Sequence, residues 1–405
     1  MADVHGKALI LDPDNFTPLY DAQLSSELSQ LGWQVVWVTS TPQFGQMPQP
    51  QSVRVENTFF RILKRPFWRI LLRRRFLLTV RRLAKAAGYF WGLYLLYRSL
   101  CRQVPGILHV QWALFPWVDG LLWQMLRRQG WVVVYTCHDP VPLTGSLPKW
   151  FSKVTRRLCL AADGVIVHGQ WAHRTLEKMG IPAARIHVIE PGAFTKSLTL
   201  EQHTARRILG LDPEVPIILF FGFIKPYKGL EILLDSLPRV RAELKKFQLL
   251  VAGEFMESVS NYRKWLAKEG LSDFVQWFEG YMPEEKSRCY FAAANTVVLP
   301  YLEASSSAVL LQAYSASRPV VASAVGDIPS MVEDQKTGLL VPPKDPVALA
   351  KAIVSILKDE ETAVHMGSNG RDLLESRFNW AKAASRTEIL YLQLYKERFQ
   401  RHYEI

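Results

Sequence analysis

The sequence predicts an α/β protein built from two parallel-sheet domains. Two observations carry that expectation. Short apolar runs alternate with segments whose apolar residues sit at helical spacing, along almost the whole chain, and such alternation builds parallel sheets. A length of 405 residues also exceeds what one ordinary core supports, while 49% apolar and 21% charged residues are globular values.

Charge divides the chain. Residues 1–200 hold 24 Lys and Arg against 11 Asp and Glu, a net +13, whereas residues 201–405 come to −1. The basic half suits an anionic surface or substrate. Cys101, Cys137, Cys159 and Cys289 are scattered without metal-ligand spacing, so reduced thiols in a cytoplasmic protein are expected. No secretory leader is expected at Met1–Lys7. The longest uncharged apolar run, Ala86–Tyr97, falls short of the roughly 20 residues a membrane span needs.

In order, Lys7–Leu11 is the first strand, Asp12–Pro18 a loop, Tyr20–Leu31 a helix ending at Gly32, and Val35–Val38 the second strand. The loop lacks the G-x-G-x-x-G spacing of a dinucleotide site. Phe59–Arg102 is unusual. Between Arg61 and Lys85 it carries ten basic residues and no acid, interleaved with Phe67, Trp68, Phe76 and several leucines. That pattern suits a helix lying on an anionic membrane surface; it also suits nucleic acid, or a solvated face over an apolar stripe. No nucleic-acid motif accompanies it, so the membrane surface is the expected partner and nucleic acid is not. Strands follow at Ile107–Gln111, Val132–Thr136 and Gly164–His168. His109, inside the first of these, is read as core. His138 lies just past the carboxyl end of the second, where open α/β sheets place ligands. It can donate to a sugar hydroxyl or phosphate, or bond its own loop. Pro182–Thr199, with a short strand at His187–Ile189, approaches a domain boundary.

The second half repeats the alternation, with strands at Pro216–Gly222, Phe247–Ala252, Phe274–Phe278, Thr296–Leu299, Val320–Ala322 and Gly338–Val341. Between Gly222 and the helix Leu230–Leu244 runs Phe-Ile-Lys-Pro-Tyr-Lys-Gly. Its Lys225 and Lys228, beside glycines that permit close backbone approach, suit a diphosphate. From Leu299 to Val325 a strand ends in Pro300, a carboxylate follows at Glu303, and Ser305, Ser306 and Ser307 offer caps to a helix carrying Val309, Leu310, Ala313 and Tyr314. Free N–H groups at that helix start, with a carboxylate on the rim, suggest phosphate plus polyol; an ordinary capped strand–turn–helix is the alternative. A last helix carries Tyr391, Leu394, Tyr395 and Phe399.

Three of these motifs, in register over roughly residues 216–345, resemble the retaining glycosyltransferases of group 1 (family 4): Gly222-Phe-Ile-Lys-Pro-Tyr-Lys-Gly229; Pro300-Tyr…Glu303-Ala-Ser…Arg-Pro-Val-Val-Ala-Ser; and Val325-Gly-Asp-Ile-Pro…Thr-Gly-Leu-Leu-Val-Pro-Pro343. The N-terminal half matches more loosely, through Thr136-Cys-His-Asp139. The resemblance implies a GT-B fold: two Rossmann-like domains, 1–200 for the acceptor (with the basic segment 59–102) and 201–380 for the nucleotide sugar, facing a cleft, and a final segment 381–405 packing back on the first domain. It implies transfer of a hexose with retention from a UDP- or GDP-sugar, no other cofactor and no metal. The acceptor would be a lipid-linked sugar or a polysaccharide precursor at the inner face of the membrane. Lys225 and Lys228 would neutralise the diphosphate, with Gly222 beside them in the nucleotide site; Glu303 would accept from donor-sugar hydroxyls, backbone N–H groups of Ser305, Ser306, Ser307 and Ala308 would lie near sugar and phosphate, and His138 would reach the sugar from the other domain. Two positions depart from the family pattern. Gln312 stands where a Glu usually holds ribose hydroxyls, and Ser330 where a Glu often follows the proline. A neutral amide accepts more weakly than a carboxylate, so a GT-B subunit that binds or scaffolds without catalysis is the alternative function.

Overall fold

A computed structural model describes residues 6–41, 47–60, 78–141, 150–193, 200–256 and 258–400. The first sheet contains β1 (Gly6–Leu11), β2 (Trp33–Thr39), β3 (Arg54–Asn57), β4 (Ile107–Val110), β5 (Val132–Thr136), β6 (Gly164–Val167) and β7 (Ile186–Val188). Every pairing is parallel, in the order β3-β2-β1-β4-β5-β6-β7. Its helices are α1 (Pro18–Gln30), α2 (Leu78–Leu100), α3 (Pro116–Arg128), α4 (Trp150–Ala161) and α5 (Gln170–Lys178). The second sheet contains β8 (Ile217–Phe221), β9 (Gln248–Gly253), β10 (Val275–Glu279), β11 (Thr296–Leu299), β12 (Val320–Ser323) and β13 (Gly338–Val341), again all parallel, in the order β10-β9-β8-β11-β12-β13. Around it lie α6 (Gln202–Leu209), α7 (Leu230–Glu243), α8 (Ser260–Lys268), α9 (Glu284–Ala293), α10 (Ala308–Ser315), α11 (Ile328–Met331), α12 (Pro346–Lys358) and α13 (Glu360–Arg377). The chain ends with α14 (Trp380–Gln400).

Alternation along the strands sorts the first domain's apolar residues into two layers. Leu9, Leu11, Val36, Leu108, Val133 and Val165 pack under α2, α3 and α4. Ala8, Ile10, Val35, Trp37, Ile107 and Val134 face the other way, onto α1 and α14. Trp380, Ala384, Leu390, Tyr391 and Leu394 complete that second layer, so the last helix crosses back to the first domain. Tyr391 Oη also bonds His109 Nδ1 at 2.6 Å. This is the expected two-sheet GT-B architecture. In each sheet the strand order reverses once, between β1 and β4 and between β8 and β11, and ligand crevices form at the carboxyl ends of such strands.

Local departures have physical reasons. The strand β3 escapes detection because Arg54-Val-Glu-Asn57 is an edge strand with no buried residue, so no apolar run marks it. Helix α1 begins at Pro18, inside the expected loop, because proline is pre-organised for a first helical position. The strand β6 stops at Val167, one residue before His168, whose ring turns to the carbonyl of Ile189. The basic residues Arg61, Lys64, Arg65, Arg69, Arg73, Arg74 and Arg75, with Phe67 and Trp68, lie outside the described residues. Lys85 is described and pairs with Asp14. Among the described residues no helix is long and apolar enough to cross a membrane.

Candidate active site

The second domain supplies a loop-built wall. After β8 the chain turns at Gly222 (φ +113°), where an added Cβ would lie 2.9 Å from Lys228 Nζ. Gly229 (φ +69°) closes the loop against the carbonyl of Pro300, which an added Cβ would approach to 2.0 Å. The positive φ disfavours any side chain at either position, and at Gly229 the Pro300 backbone also leaves no room for one. The loop after β11 is joined to this one by Leu302 N–H donating to Tyr227 O at 2.7 Å. Both loops therefore stand at the strand-order reversal.

Lys228 dominates this wall. It is only 7% exposed, its Nζ lies 5.4 Å from the centre of the Tyr301 ring, and no carboxylate among the described residues pairs with it. Burial alone lowers its pKa to about 8. A buried ammonium without a counter-charge is costly, and an anion is what relieves it. Lys225 is half-buried, and its positive charge favours the ionised form of Asp139 across the cleft. Of the three serines, Ser307 caps α10 by accepting from Leu310 N at 3.2 Å. Ser306 is half-buried. Ser305 points elsewhere: its Oγ donates to Asp139 Oδ1 at 2.5 Å, joining the two domains. Glu303 is exposed on the same loop, and Gln312 is half-buried in α10, more than a turn beyond the cap.

The first domain supplies a wall of rings. Past β5, His138 stacks on Trp112 (centroids 4.9 Å apart, planes at 8°) and meets the edge of Tyr20 at 5.2 Å. Among the described residues its ring nitrogens meet partners on other strands. Its Nδ1 lies 3.1 Å from His168 Nε2 and its Nε2 lies 3.0 Å from Gln111 Oε1. His168 Nδ1 stands 3.0 Å from the carbonyl of Ile189, so that nitrogen carries the proton and Nε2 accepts from His138. The His138 Nε2 lone pair then faces an amide oxygen. A 180° turn of the Gln111 amide satisfies it, as does one added proton on the histidine pair. Burial, more than the neighbouring rings, holds both histidines below their ordinary range and favours the neutral arrangement. Burial also raises Asp139, opposed by its bond to Ser305 and by Lys225.

A second link joins the domains. Asp327, within the Val325-Gly-Asp-Ile-Pro motif, accepts from Trp171 N at 2.7 Å and Ala172 N at 3.3 Å, the free N–H groups that open α5. The cap position of α5 is Gly169, which has no side chain to offer. An added Cβ there would fall 2.1 Å from Asp327 Cγ.

The structure thus brings His138, Lys225, Lys228 and Ser305 to one cleft between the sheets. Gln111, Asp139, His168 and Asp327 escaped the sequence reading of the site. Asp139 and Asp327 lay inside motifs already singled out. Gln111 and His168 read in the sequence as strand ends, and a polar residue at the carboxyl end of a buried parallel strand is the available signal.

Residues 22–196 match the family model described as Glycosyltransferase Family 4, and residues 215–359 match that described as Glycosyl transferases group 1. A D-inositol 3-phosphate glycosyltransferase from Streptomyces coelicolor is 31% identical over 71% of this chain and 70% of its own. A protein of the same name from Corynebacterium efficiens is 28% identical over 51% of this chain, and the match spans only half of that relative's length. Sucrose-phosphate synthase from Thermosynechococcus elongatus superimposes with a TM-score of 0.74 at 25% identity, over 97% of this chain and 99% of that one. With both halves matched in order and the two-sheet architecture present, the chain belongs to the group 1, family 4 glycosyltransferases.

Proposed function

We propose that the protein transfers a hexosyl group from a nucleotide diphosphate sugar to an acceptor hydroxyl, with retention of anomeric configuration and without a metal ion. The observation that carries this reading is Lys228, a buried cation with no counter-charge among the described residues, beside a cleft that also holds Lys225 and His138. A diphosphate supplies the missing charge. As the anomeric C–O bond to the diphosphate breaks, negative charge grows on the departing phosphate oxygen, and two ammonium groups stabilise it where a divalent cation otherwise would. The acceptor oxygen forms the new bond on the face the diphosphate leaves, and its proton passes to a phosphate oxygen. His138, held neutral, touches the sugar hydroxyls without adding charge. Glu303 accepts from the sugar, and Gln312 from the ribose.

The relatives named D-inositol 3-phosphate glycosyltransferase act, by their name, on a phosphorylated polyol. For this chain the basic first domain favours an acceptor held at the cytoplasmic face of a membrane, lipid-linked or a polysaccharide precursor, with UDP- or GDP-sugar as donor. A thermal-shift screen of UDP-, GDP- and ADP-sugars tests the reading, because a ligand that binds only the folded state raises the melting temperature. One nucleotide sugar should stabilise the protein and be slowly hydrolysed, with EDTA without effect. Binding without hydrolysis or transfer would instead favour the scaffolding subunit that Gln312 suggests. Loss of activity in EDTA would overturn the metal-free reading.

A further inference from the structure

Helices α2, α3 and α4 cover one layer of the first domain's core, yet their outer sides are not those of an ordinary solvated face. On α2, Leu83, Phe90 and Trp91 are exposed, and on α3, Trp117, Leu121 and Met125, with Trp91 at 58% and Leu121 at 56%. The two helices are joined by the rings of Phe90 and Phe115, 4.9 Å apart. Beside them α4 turns Lys153, Arg156 and Arg157 outward. The sequence from Asn57 to Ala162 contains two acids, Asp119 and Asp139. Asp119 is buried and bonded to Tyr89 Oη at 2.6 Å and Phe115 N at 2.8 Å, and Asp139 sits in the cleft. The neighbouring carboxylates Asp14 and Asp163 are turned inward onto Lys85 and Arg127, so among the described residues Lys153, Arg156 and Arg157 face outward without a paired acid.

Exposed aromatics gathered on neighbouring helices mark a contact surface. Cations without acids around them specify what is contacted. A partner protein's rim carries both signs, whereas an anionic leaflet carries one, with an apolar interior behind it. The segment that opens α3 links this surface to the cleft. Phe115 opens α3, three residues beyond Trp112; Trp112 packs on Phe16 at 5.2 Å, itself half exposed, and stacks on His138.

We propose that the outer faces of α2 and α3 seat in an anionic leaflet, with the α4 cations on its headgroups. The aromatic row Phe90–Phe115–Trp112–Phe16 then leads an amphiphilic acceptor from that leaflet to His138. Seating stands on the surface alone; delivery of an acceptor rests on the transferase reading above.

The test uses the full chain with vesicles of phosphatidylcholine, with and without phosphatidylglycerol, and brominated acyl chains to quench tryptophan. The parent should bind anionic vesicles, with salt-sensitive affinity and quenched fluorescence, and bind neutral vesicles at least tenfold less. The double variant Trp91→Ser, Leu121→Ser should lose at least tenfold in vesicle binding. Both side chains are mostly exposed, so circular dichroism and melting should match the parent; Leu121→Ser alone serves if they do not. Arg156→Ser with Arg157→Ser should flatten the salt dependence. Vesicle binding unchanged in the double variant overturns the proposal. So does a concentration-dependent self-association of the parent without lipid that the double variant abolishes, which would give the face to a second copy. Hydrolysis of nucleotide sugar in solution should be equal in parent and variant. If the parent neither binds nor hydrolyses any nucleotide sugar, the transferase reading fails while the vesicle result still decides the face.

Discussion

The two walls of the cleft solve the same problem with different materials. The wall of the second domain is made from two adjoining loops, glycines whose positive φ disfavours a side chain, and one buried cation. The wall of the first domain is made from rings and an amide gathered from the ends of three strands: Gln111 and Trp112 after β4, His138 after β5, and His168 after β6, with Tyr20 from α1. The first is a charge trap, cheap in residues and fixed by backbone. The second is a polar network whose members hold one another's tautomers, so removing one disturbs the others. The two walls should therefore fail differently when mutated.

Lys228→Ala gives the largest expected effect. It removes the charge-assisted partner of a buried phosphate, worth about 1.5–3 kcal/mol, roughly 10- to 150-fold in nucleotide affinity, and more in turnover because charge on the phosphate grows in the transition state. Calorimetric titration with the nucleotide and a transfer assay check it. The variant should fold normally, since the ammonium it removes is buried without a carboxylate partner among the described residues and its loss forfeits only the contact with the Tyr301 ring. Normal turnover in both Lys228→Ala and Lys225→Ala would mean that the second wall is no charge trap.

Asp327→Ala comes next and tests whether the walls are held together. It leaves the first N–H groups of α5 unpaired, a loss of about 1 kcal/mol. Since the cap is donated across the cleft, the loss should appear as a weaker closed arrangement, with a raised donor KM and a larger radius of gyration in solution scattering. Gly169→Ala should reproduce it from the other side by pushing the carboxylate away. If both variants melt earlier but keep the parent's KM and radius, the contact is an ordinary cap that happens to cross between domains.

These two residues also mark what the sequence could convey. Lys228 was legible because its loop is contiguous: a strand, glycines, lysines and a helix start occupy fewer than twenty positions, and spacing alone implies a phosphate site. The architecture was legible for the same reason, as apolar runs and helical periodicity are local signals. The ring wall was not. Gln111, His138 and His168 span 58 positions of sequence, and each taken singly looks like a residue at the end of a strand. Only the parallel order β4-β5-β6 puts them side by side. The edge strand β3 was illegible for a different reason: a half-buried strand need not be apolar.

The ring wall has a pH signature that the charge trap lacks. His109 is lowered to about 3, mainly by burial, and His138 and His168 are also lowered. A lowered histidine is neutral in the folded chain while its unfolded counterpart protonates near 6.5, so the unfolded state binds more protons below that pH. Each such histidine stabilises fully above about pH 6.5, and that contribution falls by up to about 1.4 kcal/mol per pH unit below it, until the folded pKa is reached. Buried carboxyls such as Asp119, raised to about 6, oppose this trend, so the measurement is a difference. Between pH 6.5 and 5.5 the parent should lose more stability than His168→Gln in denaturant unfolding. Parallel curves would mean that the His138–His168 pair already carries a proton in the folded state.

The smallest expected effect tests the edge of the charge trap. Gln312 lies on α10, whose first turn is held by the Ser307 cap, so backbone register fixes where its side chain starts. If its amide oxygen accepts from ribose hydroxyls, a carboxylate in its place accepts more strongly, by about 1 kcal/mol for a charged acceptor over a neutral one. Gln312→Glu should then tighten nucleotide binding about fivefold at most, because the new charge also approaches a diphosphate. Gln312→Leu, which keeps the bulk and removes the acceptor, should weaken it by a similar factor. Neither change should alter hydrolysis once the donor is saturating, since ribose is remote from the breaking bond. Should both variants bind UDP and GDP as the parent does, Gln312 does not reach the ribose, and the motif register that aligned it with the family's glutamate is displaced along α10.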